Sequence, residues 1–596
     1  MFLILCIVFA GGSAVDLFES YETMTESWQV NTSMLVSRCS HASVEGLPRV
    51  PVPPLRKTCE GYLSALEPII EEDEWKRAKQ LVEAFMKRGG VGEELQRSLE
   101  RKACNTDNWT TDLWGKLEYF GNRSPVVINA NVPIVCPRLD FRDKQGQISE
   151  TLPAENLGGK PLCMEQYSQL LSTCRIPGLE RDSVVFHAKI GNPPKHITVV
   201  YNSQFFVVEV YHNDGTPLTV DQLCVQMESI CTSTSETNTE PVGILTTLDR
   251  DSWSKAYLSM KDQTNKESLS AIERSIFTLC LDRAIPRESD KYGTCDFHLI
   301  THGGGSQWNS ANRWFDKSLQ IIVAEDGSWG LNLIHIVADG TVTSILPLPM
   351  PQKLHFHVTP DIKEIIEQAK RSMDRNIQNF DLSVLVFDHF GKNYLKAHNM
   401  SPDAFIQMAI QLAYYRMNKQ VCASYEAVSQ RMFRRGRVSL LLSTTSVSAA
   451  FVKAFDDPQN TVDTRAFWLV FFLHNINLYF ILTDVIGGHD IVAHIIALRL
   501  QAVENKLPMP DIFRDISYKK ILNYQFVTSN TGSVGVHQVD ENSGYSLCYS
   551  VHNSHFIIEM ATFNTHKRLN TRHLIQNMKD ALLDMRALLE QAPRAT

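Results

Sequence analysis

The stretch SWGLNLIHIVADG, from Ser328 to Gly340, sets one histidine in an apolar, strand-like run. An acid stands four residues further on, with a glycine directly after it. A histidine titrates near neutrality, so His335 can accept and return one proton per cycle. Asp339 can fix its tautomer and stabilise the imidazolium. Taken alone, the pattern equally describes a core histidine beside a turn. A second candidate lies downstream, where Lys392 and Lys396 stand four apart in FGKNYLKAHNM. The segment that follows reads as a helix start, with Ser401 at the N-cap, Pro402 next and Asp403 in the first turn. Lysine ammonium groups beside helix amides make a phosphate-binding surface. Two lysines on a solvated face are the plain alternative. The three glycines of THGGGSQWNSANRWFDKSLQ are not a P-loop, because no G-K-[ST] follows. RGGVGEEL follows a helical pattern rather than a strand, which excludes a dinucleotide fingerprint. The 13 cysteines are scattered without a C-x-x-C, so no closed zinc site is expected and the thiols read as reduced.

These residues need elements to hold them. Glu72 to Gly90 reads as an amphipathic helix, with Trp75, Ala78, Leu81, Val82 and Phe85 at helical spacing. HITVVYNSQFFVVEVYHNDGTPLT reads as two strands followed by an Asn-Asp-Gly turn. HLIQNMKDALLDMRALLEQA closes the chain as a helix. Alternating helix and strand patterns, without a low-complexity linker, predict an α/β protein with intertwined segments.

At 596 residues the chain can bury more than one core. Hydrophobic content of 43% and charged content of 21% describe a globular protein. A net charge of -8 argues against nucleic-acid binding, which needs a basic balance or stripe. Residues 1–14 are apolar and end in small residues, as a secretory signal does, but lack its basic start. A secretory route would open Asn31, Asn108, Asn122 and Asn399 to glycosylation. Otherwise each is a plain surface asparagine. The apolar run from Ala466 to Thr483 approaches bilayer length, yet His474, Asn475 and Asn477 interrupt it. It reads as a buried segment or an irregular insert, and membrane association is not expected.

LPRVPVPPLRKTCEGYLSALEPI, LGGKPLCM, HITVVYN, EPVGILT, NRWFDKSLQ, LPLPMPQKL, SPDAFIQMAIQLAYYR and MPDIF follow one another in an order that resembles the choline/carnitine acyltransferase family. The likeness covers roughly nine-tenths of the chain and is strongest to the carnitine-using members. It implies a two-domain α/β fold of the chloramphenicol acetyltransferase-like type, with mixed sheets covered by helices and the active site in a tunnel between domains. It implies residues 45–103 as N-terminal helices packing with the C-terminal domain. Residues 104–358 become the domain carrying the catalytic histidine, and 359–596 the domain carrying the CoA-binding lysines. Residues 1–14 are then signal-like or misassigned sequence. The implied reaction is reversible transfer of a short-chain acyl group between CoA and the hydroxyl of carnitine. His335 would be general base, oriented by Asp339, without a covalent acyl-enzyme. VTS resembles the family's Ser-Thr-Ser motif, and Ser529 keeps the last hydroxyl, which helps stabilise the oxyanion. Lys392, Lys396 and Asp403 match CoA contacts, and Asn530 stands where a CoA-contacting glutamine is usual. No metal or redox cofactor is implied, and a monomer is expected.

Departures concentrate in the acyl-acceptor pocket. ASYEAVSQRMFRRGRV keeps a carnitine-binding tyrosine as Tyr425 but has Ala427 and Val438 where a serine and a threonine are usual. VAHIIALRLQA puts Ala493 at a carboxylate-binding arginine, a loss on the order of 1.5–3 kcal/mol or more for a buried carboxylate. Ile334 replaces the usual glutamate before the histidine, and Val527 the first serine of the motif. Choline-using members share such a valine and lack the arginine. Two further readings therefore stand beside the first: a catalytically impaired relative that binds CoA, or an acyltransferase for an uncharged acceptor such as choline. Abrupt block departures point to altered exon content or a faulty gene model. The family's work in fatty acid metabolism implies a mitochondrial or peroxisomal location, although RAT is not a peroxisomal signal and the N-terminus is not Arg-rich.

Overall fold

The structure is a computed structural model that describes most of the chain between residues 46 and 591. The longer stretches outside the description are 1–45, 137–154, 190–192, 213–215, 234–239, 287–293, 336–350, 460–480, 531–543, 564–568 and 592–596. Asp339, the signal-like start, Asn31, the Asn-Asp-Gly turn and almost all of the run from Ala466 lie there. Among the described residues no helix is long and apolar enough to cross a membrane.

In chain order the principal elements begin with helices α1 (Leu55–Leu66), α2 (Glu72–Phe85) and α3 (Val91–Cys104). Strand β1 (Asn131–Cys136), strands β2 (His196–Tyr201) and β3 (Gln204–Glu209), helix α4 (Val220–Ser233) and helix α5 (Arg250–Met260) follow. Then come β4 (Thr278–Asp282), α6 (Thr294–His302), β5 (Leu319–Ala324), β6 (Trp329–Ile334), β7 (Pro351–Lys353) and α7 (Pro360–Asn379). The last part holds β8 (Phe380–Phe387), α8 (Lys392–Ala397), α9 (Pro402–Asn418), β9 (Ser424–Ser429), β10 (Val438–Leu442) and α10 (Ile491–Glu504). Strands β11 (Phe526–Ser529), β12 (Tyr545–Val551) and β13 (Phe556–Phe563) and helix α11 (Thr571–Gln591) complete it.

The strands form two mixed sheets. One has seven strands in the order β1-β6-β5-β4-β2-β3-β7, the other six in the order β8-β13-β12-β11-β9-β10. The β2–β3 hairpin turns on Asn202 and Ser203, whose φ values of 50° and 62° make the two-residue turn that matches strand twist. Strand β6 is buried at all six positions and pairs with β1 and β5, so its C-terminal end is held from both sides. Gly303, Gly304 and Gly305 all have positive φ, and a Cβ on Gly303 would meet the Asn309 backbone at 2.5 Å. The glycines are a tight turn, as their context predicts.

The chain divides into two compact units. Trp114–Asn379 makes up most of one, and Pro48–Leu113 joins most of the residues from Phe380 onward in the other. Helix α7 packs Ile362, Ile366, Ala369 and Met373 into the core formed by the seven-stranded sheet. The first unit therefore runs to Asn379, past the boundary at 359 expected from the sequence. Helix α2 begins at Glu72 as the spacing predicts and buries Ala78, Val82 and Phe85. It ends at Phe85, ahead of the basic pair Lys87 and Arg88. In the second unit α9 is the central helix, buried continuously from Ala404 to Ala413 and packed with α11 and the six-stranded sheet.

Asn108 corrects one expectation. It is only 4% exposed, its amide donates to the Arg434 carbonyl, and its side-chain oxygen accepts from Thr110 and Thr111. It is an anchored helix cap. His494 on α10 is fully buried and pairs with Thr58 Oγ1 on α1 at 2.6 Å. Burial, with the charge of His489, pushes it down to about 3. Its stabilising contribution is complete above the ordinary histidine value and is lost as pH falls from about 6.5 towards 3. Acid titration of stability should therefore be flatter in that window for His494→Gln, measured as the denaturant midpoint at each pH.

Candidate active site

His335 directly follows β6. Its backbone N–H donates to the Ala130 carbonyl at 2.7 Å, which continues the β1–β6 pairing by one residue and fixes where the side chain starts. Ile334 is fully buried in the core, so the non-standard residue before the histidine acts as an anchor. The half-buried imidazole packs against Tyr119, with ring centroids 5.3 Å apart at 59°. Tyr119 ends a single π-helical turn, Gly115–Tyr119, a local geometry that recurs at functional sites. Glu118, Tyr119, Ser124, Val126 and Arg175 line a recess with His335.

Beneath that recess lies a buried ion cluster. Arg175, 2% exposed, donates through Nε to Asp182 at 2.5 Å, and Arg250 does so at 2.6 Å. Arg123 and the Gly178 amide complete the carboxylate's set at 3.0 and 3.1 Å. Arg250 also faces Asp316 at 2.8 Å. Burial, reinforced by the like charge of Arg250, pushes Arg175 down to about 10. Burial pushes the Asp182 carboxyl up, but Arg250 and Arg175 outweigh it and hold Asp182 below the ordinary range. The cluster therefore ties one wall of the His335 recess to the interior.

The other candidates lie in the second unit. Lys392 and Lys396 sit exposed on the two-turn helix α8. The Lys392 amide is fixed by the His552 carbonyl at 2.8 Å. Ser401 caps α9 by accepting from the Ala404 amide at 3.3 Å. Asp403 in the first turn accepts from Asn530 Nδ2 at 3.0 Å and from the Tyr549 hydroxyl at 2.7 Å. Ser529 ends β11, 3% exposed. Its two neighbours are both held from α9. Asn530 reaches Asp403, and Thr528 accepts from Gln407 Nε2 at 2.8 Å while donating to the Tyr425 carbonyl. Gln407 also donates to the Tyr549 hydroxyl at 3.0 Å. Glu426 joins this network, and burial together with Asp403 pushes it well above the carboxylate range.

Sequence reading did not find Tyr119, Arg175, Gln407, Tyr549 or Glu426. Only the spacing of Gln407 four residues after Asp403, on the same helical face, was a signal. Gln407→Leu should leave two buried hydroxyls without their donor and cost about 1–3 kcal/mol. The denaturant midpoint of the second unit reads that cost.

Tyr425 is fully buried, and its hydroxyl donates to the Ile521 carbonyl. That proton is therefore committed within the protein. Ala427 and Val438 face each other's strands on β9 and β10 and are half-buried. Ala493 is buried in the first turn of α10, where its amide donates to Asp490 at 2.8 Å. Among the described residues no three histidine, cysteine or acidic side chains are grouped to hold a metal, and no described cysteine is in a disulfide.

The family model for choline/carnitine O-acyltransferases matches residues 50–580. The chain belongs to that family. Relatives matched along nearly the whole chain include carnitine O-acetyltransferases and choline O-acetyltransferases. The Rattus norvegicus enzyme is 45% identical, with 94% of this chain and 96% of that one covered. The Homo sapiens enzyme is 45% identical over 93% and 95%. Choline O-acetyltransferase of Mus musculus is 31% identical over 94% and 95%. The choline/carnitine acyltransferase fold is a mixed α/β architecture with two helix-covered sheets, as the resemblance implied, and the protein is an acyltransferase.

Proposed function

We propose that this acyltransferase moves a short acyl group reversibly between CoA and the hydroxyl of carnitine. The observation that carries the reading is 45% identity to carnitine O-acetyltransferases along nearly all of both chains. His335 is the general base, with Asp339 as its orienting acid. In the forward direction the imidazole takes the acceptor's hydroxyl proton as the oxygen attacks the thioester carbon. The carbon–sulfur bond then breaks, and the imidazolium returns the proton to the departing thiolate. Ser529 donates to the oxyanion. Lys392 and Lys396 hold CoA phosphate, with Asp403 and Asn530 as further CoA contacts and Tyr425 on the carnitine side. The chemistry uses no metal or redox cofactor. A mitochondrial or peroxisomal setting and a monomeric state are part of the proposal and come from the resemblance.

The second reading, an uncharged acceptor such as choline, draws on the acceptor residues. Ala493 and Val438 offer no donor, and the Tyr425 hydroxyl already donates to Ile521. A carboxylate would need donors that these positions do not supply. Acetyl-CoA consumption, with L-carnitine or choline as acceptor and His335→Ala as control, separates the readings. His335-dependent turnover with carnitine supports the first, and turnover with choline alone moves the acceptor. No turnover with either, in a folded protein that binds CoA, leaves a CoA-binding relative without this activity.

A further inference from the structure

Strand β13 carries an acid where a strand buried on both faces has little use for one. Its residues Ile558 and Met560 belong to the core shared with α9 and α11. The pleat therefore turns Ile557, Glu559 and Ala561 to the opposite face. Register fixes what else stands there. Glu559 pairs with Cys548 on β12, and Cys548 pairs with Ser529 on β11. The three form one row across the sheet, on the face to which the candidate oxyanion serine belongs. One pair further along, Ala561 stands opposite Ser546, and Ser546 opposite Val527.

Two oxygens on this face lack hydrogen-bond partners. Glu559 is 5% exposed and its Oε2 has none, and Ser546 is 2% exposed and its Oγ has none. Buried polar atoms are normally paired, and each exception asks for an explanation. Burial alone drives the Glu559 carboxyl well above the carboxylate range, which favours the neutral form, and that form can donate. Adjacent strands lie about 4.8 Å apart, which puts the backbone of Glu559 roughly 10 Å from that of Ser529. A glutamate side chain and a chain of three or four carbons together span that distance.

We propose that Glu559 and Ser546 form a subsite for an acyl chain carrying a hydroxyl a few carbons beyond the thioester carbon. The hydroxyl accepts from the Glu559 carboxyl and donates to Ser546 Oγ. This rests on the acyl-transfer reading, in which Ser529 meets the thioester oxygen. A plain aliphatic chain leaves both groups unpaired, so the site discriminates by what it would otherwise strand.

The test titrates the full chain by calorimetry with 4-hydroxybutyryl-CoA and with pentanoyl-CoA, which match in length. The wild type should bind the hydroxylated ester about tenfold more tightly, the worth of one net hydrogen bond. Glu559→Leu should bring the ratio to one or below, and Ser546→Ala should lower it. Glu559→Gln keeps a donor and should retain part of the preference, which guards against a folding defect in the leucine variant. A ratio of one in the wild type, or an unchanged ratio in both Glu559→Leu and Ser546→Ala, overturns the subsite. Acetyl-CoA turnover by the same wild-type preparation reads the acyl-transfer proposal separately. Absent turnover with the affinity ratio intact removes that proposal and keeps the subsite as a binding site.

Discussion

His335→Ala should lower the rate of acyl transfer by about 10²–10⁴-fold, the usual worth of a positioned general base. The loss should fall on kcat. His335 belongs to the unit formed by Trp114–Asn379, whereas Lys392, Lys396, Asp403 and Asn530 belong to the other. CoA affinity, read by titration, should therefore stay within a few-fold of wild type. The imidazole is only half-buried, so the melting temperature should change little. His335→Gln should be as inactive as the alanine variant, because it keeps volume and polarity but cannot cycle a proton. A variant that keeps its rate within tenfold of wild type makes His335 the core histidine beside a turn that the sequence equally allows.

The second large effect is on stability. Asp182→Asn should destabilise the first unit by about 3–5 kcal/mol, because it strands buried positive charge. Arg250 has no exposed surface and Arg175 only 2%, so neither can recover water as a partner. Asp316 still faces Arg250 at 2.8 Å, but among the described residues Arg175 has no second ion pair at hydrogen-bonding range. The sign with pH follows from Asp182 being held below its unfolded value. The contribution is present above about pH 4 and is lost as pH falls through the folded value. Denaturation at pH 7 should therefore separate the variant from wild type clearly, and the gap should close in acid. Equal midpoints at pH 7 would mean that the Asp182 charge adds nothing to the cluster. Because Arg175 lines the recess with His335, the same variant should also lose activity.

Local signals in the sequence proved sufficient for local features. Ser401 and Pro402 announced the start of α9, and the three glycines announced a turn, because caps and backbone φ depend on a few adjacent residues. The hairpin that ends at Glu209 was legible from its β-branched and aromatic runs, but its turn at Asn202 and Ser203 was not, since neither is glycine. The position of His335 at a strand end was readable too. What surrounds it was not. Tyr119 reaches the imidazole from more than two hundred positions earlier in the chain, and nothing in a lone tyrosine says which strand it will meet. The network around Ser529 likewise needs the six-stranded order, in which β11 pairs with both β9 and β12. Strand order is a tertiary fact. The role of Asn108 failed for a related reason: a sequon pattern carries no information about burial.

The grouping of Pro48–Leu113 with the far end of the chain bears on how the protein is made. Thr58 and His494, which hydrogen-bond across α1 and α10, are 436 positions apart. At about 5–20 residues per second, ribosomes need on the order of 20–90 s to cover that interval. Helices α1–α3 leave the exit tunnel long before α10 exists, with Tyr62, Leu66, Val82 and Leu95, all buried in the finished fold, not yet covered by its later elements. Meanwhile Trp114–Asn379 can collapse as soon as it emerges. The nascent chain thus carries three helices with uncovered apolar faces ahead of a unit that can already fold, the kind of exposed surface that invites misassembly during synthesis.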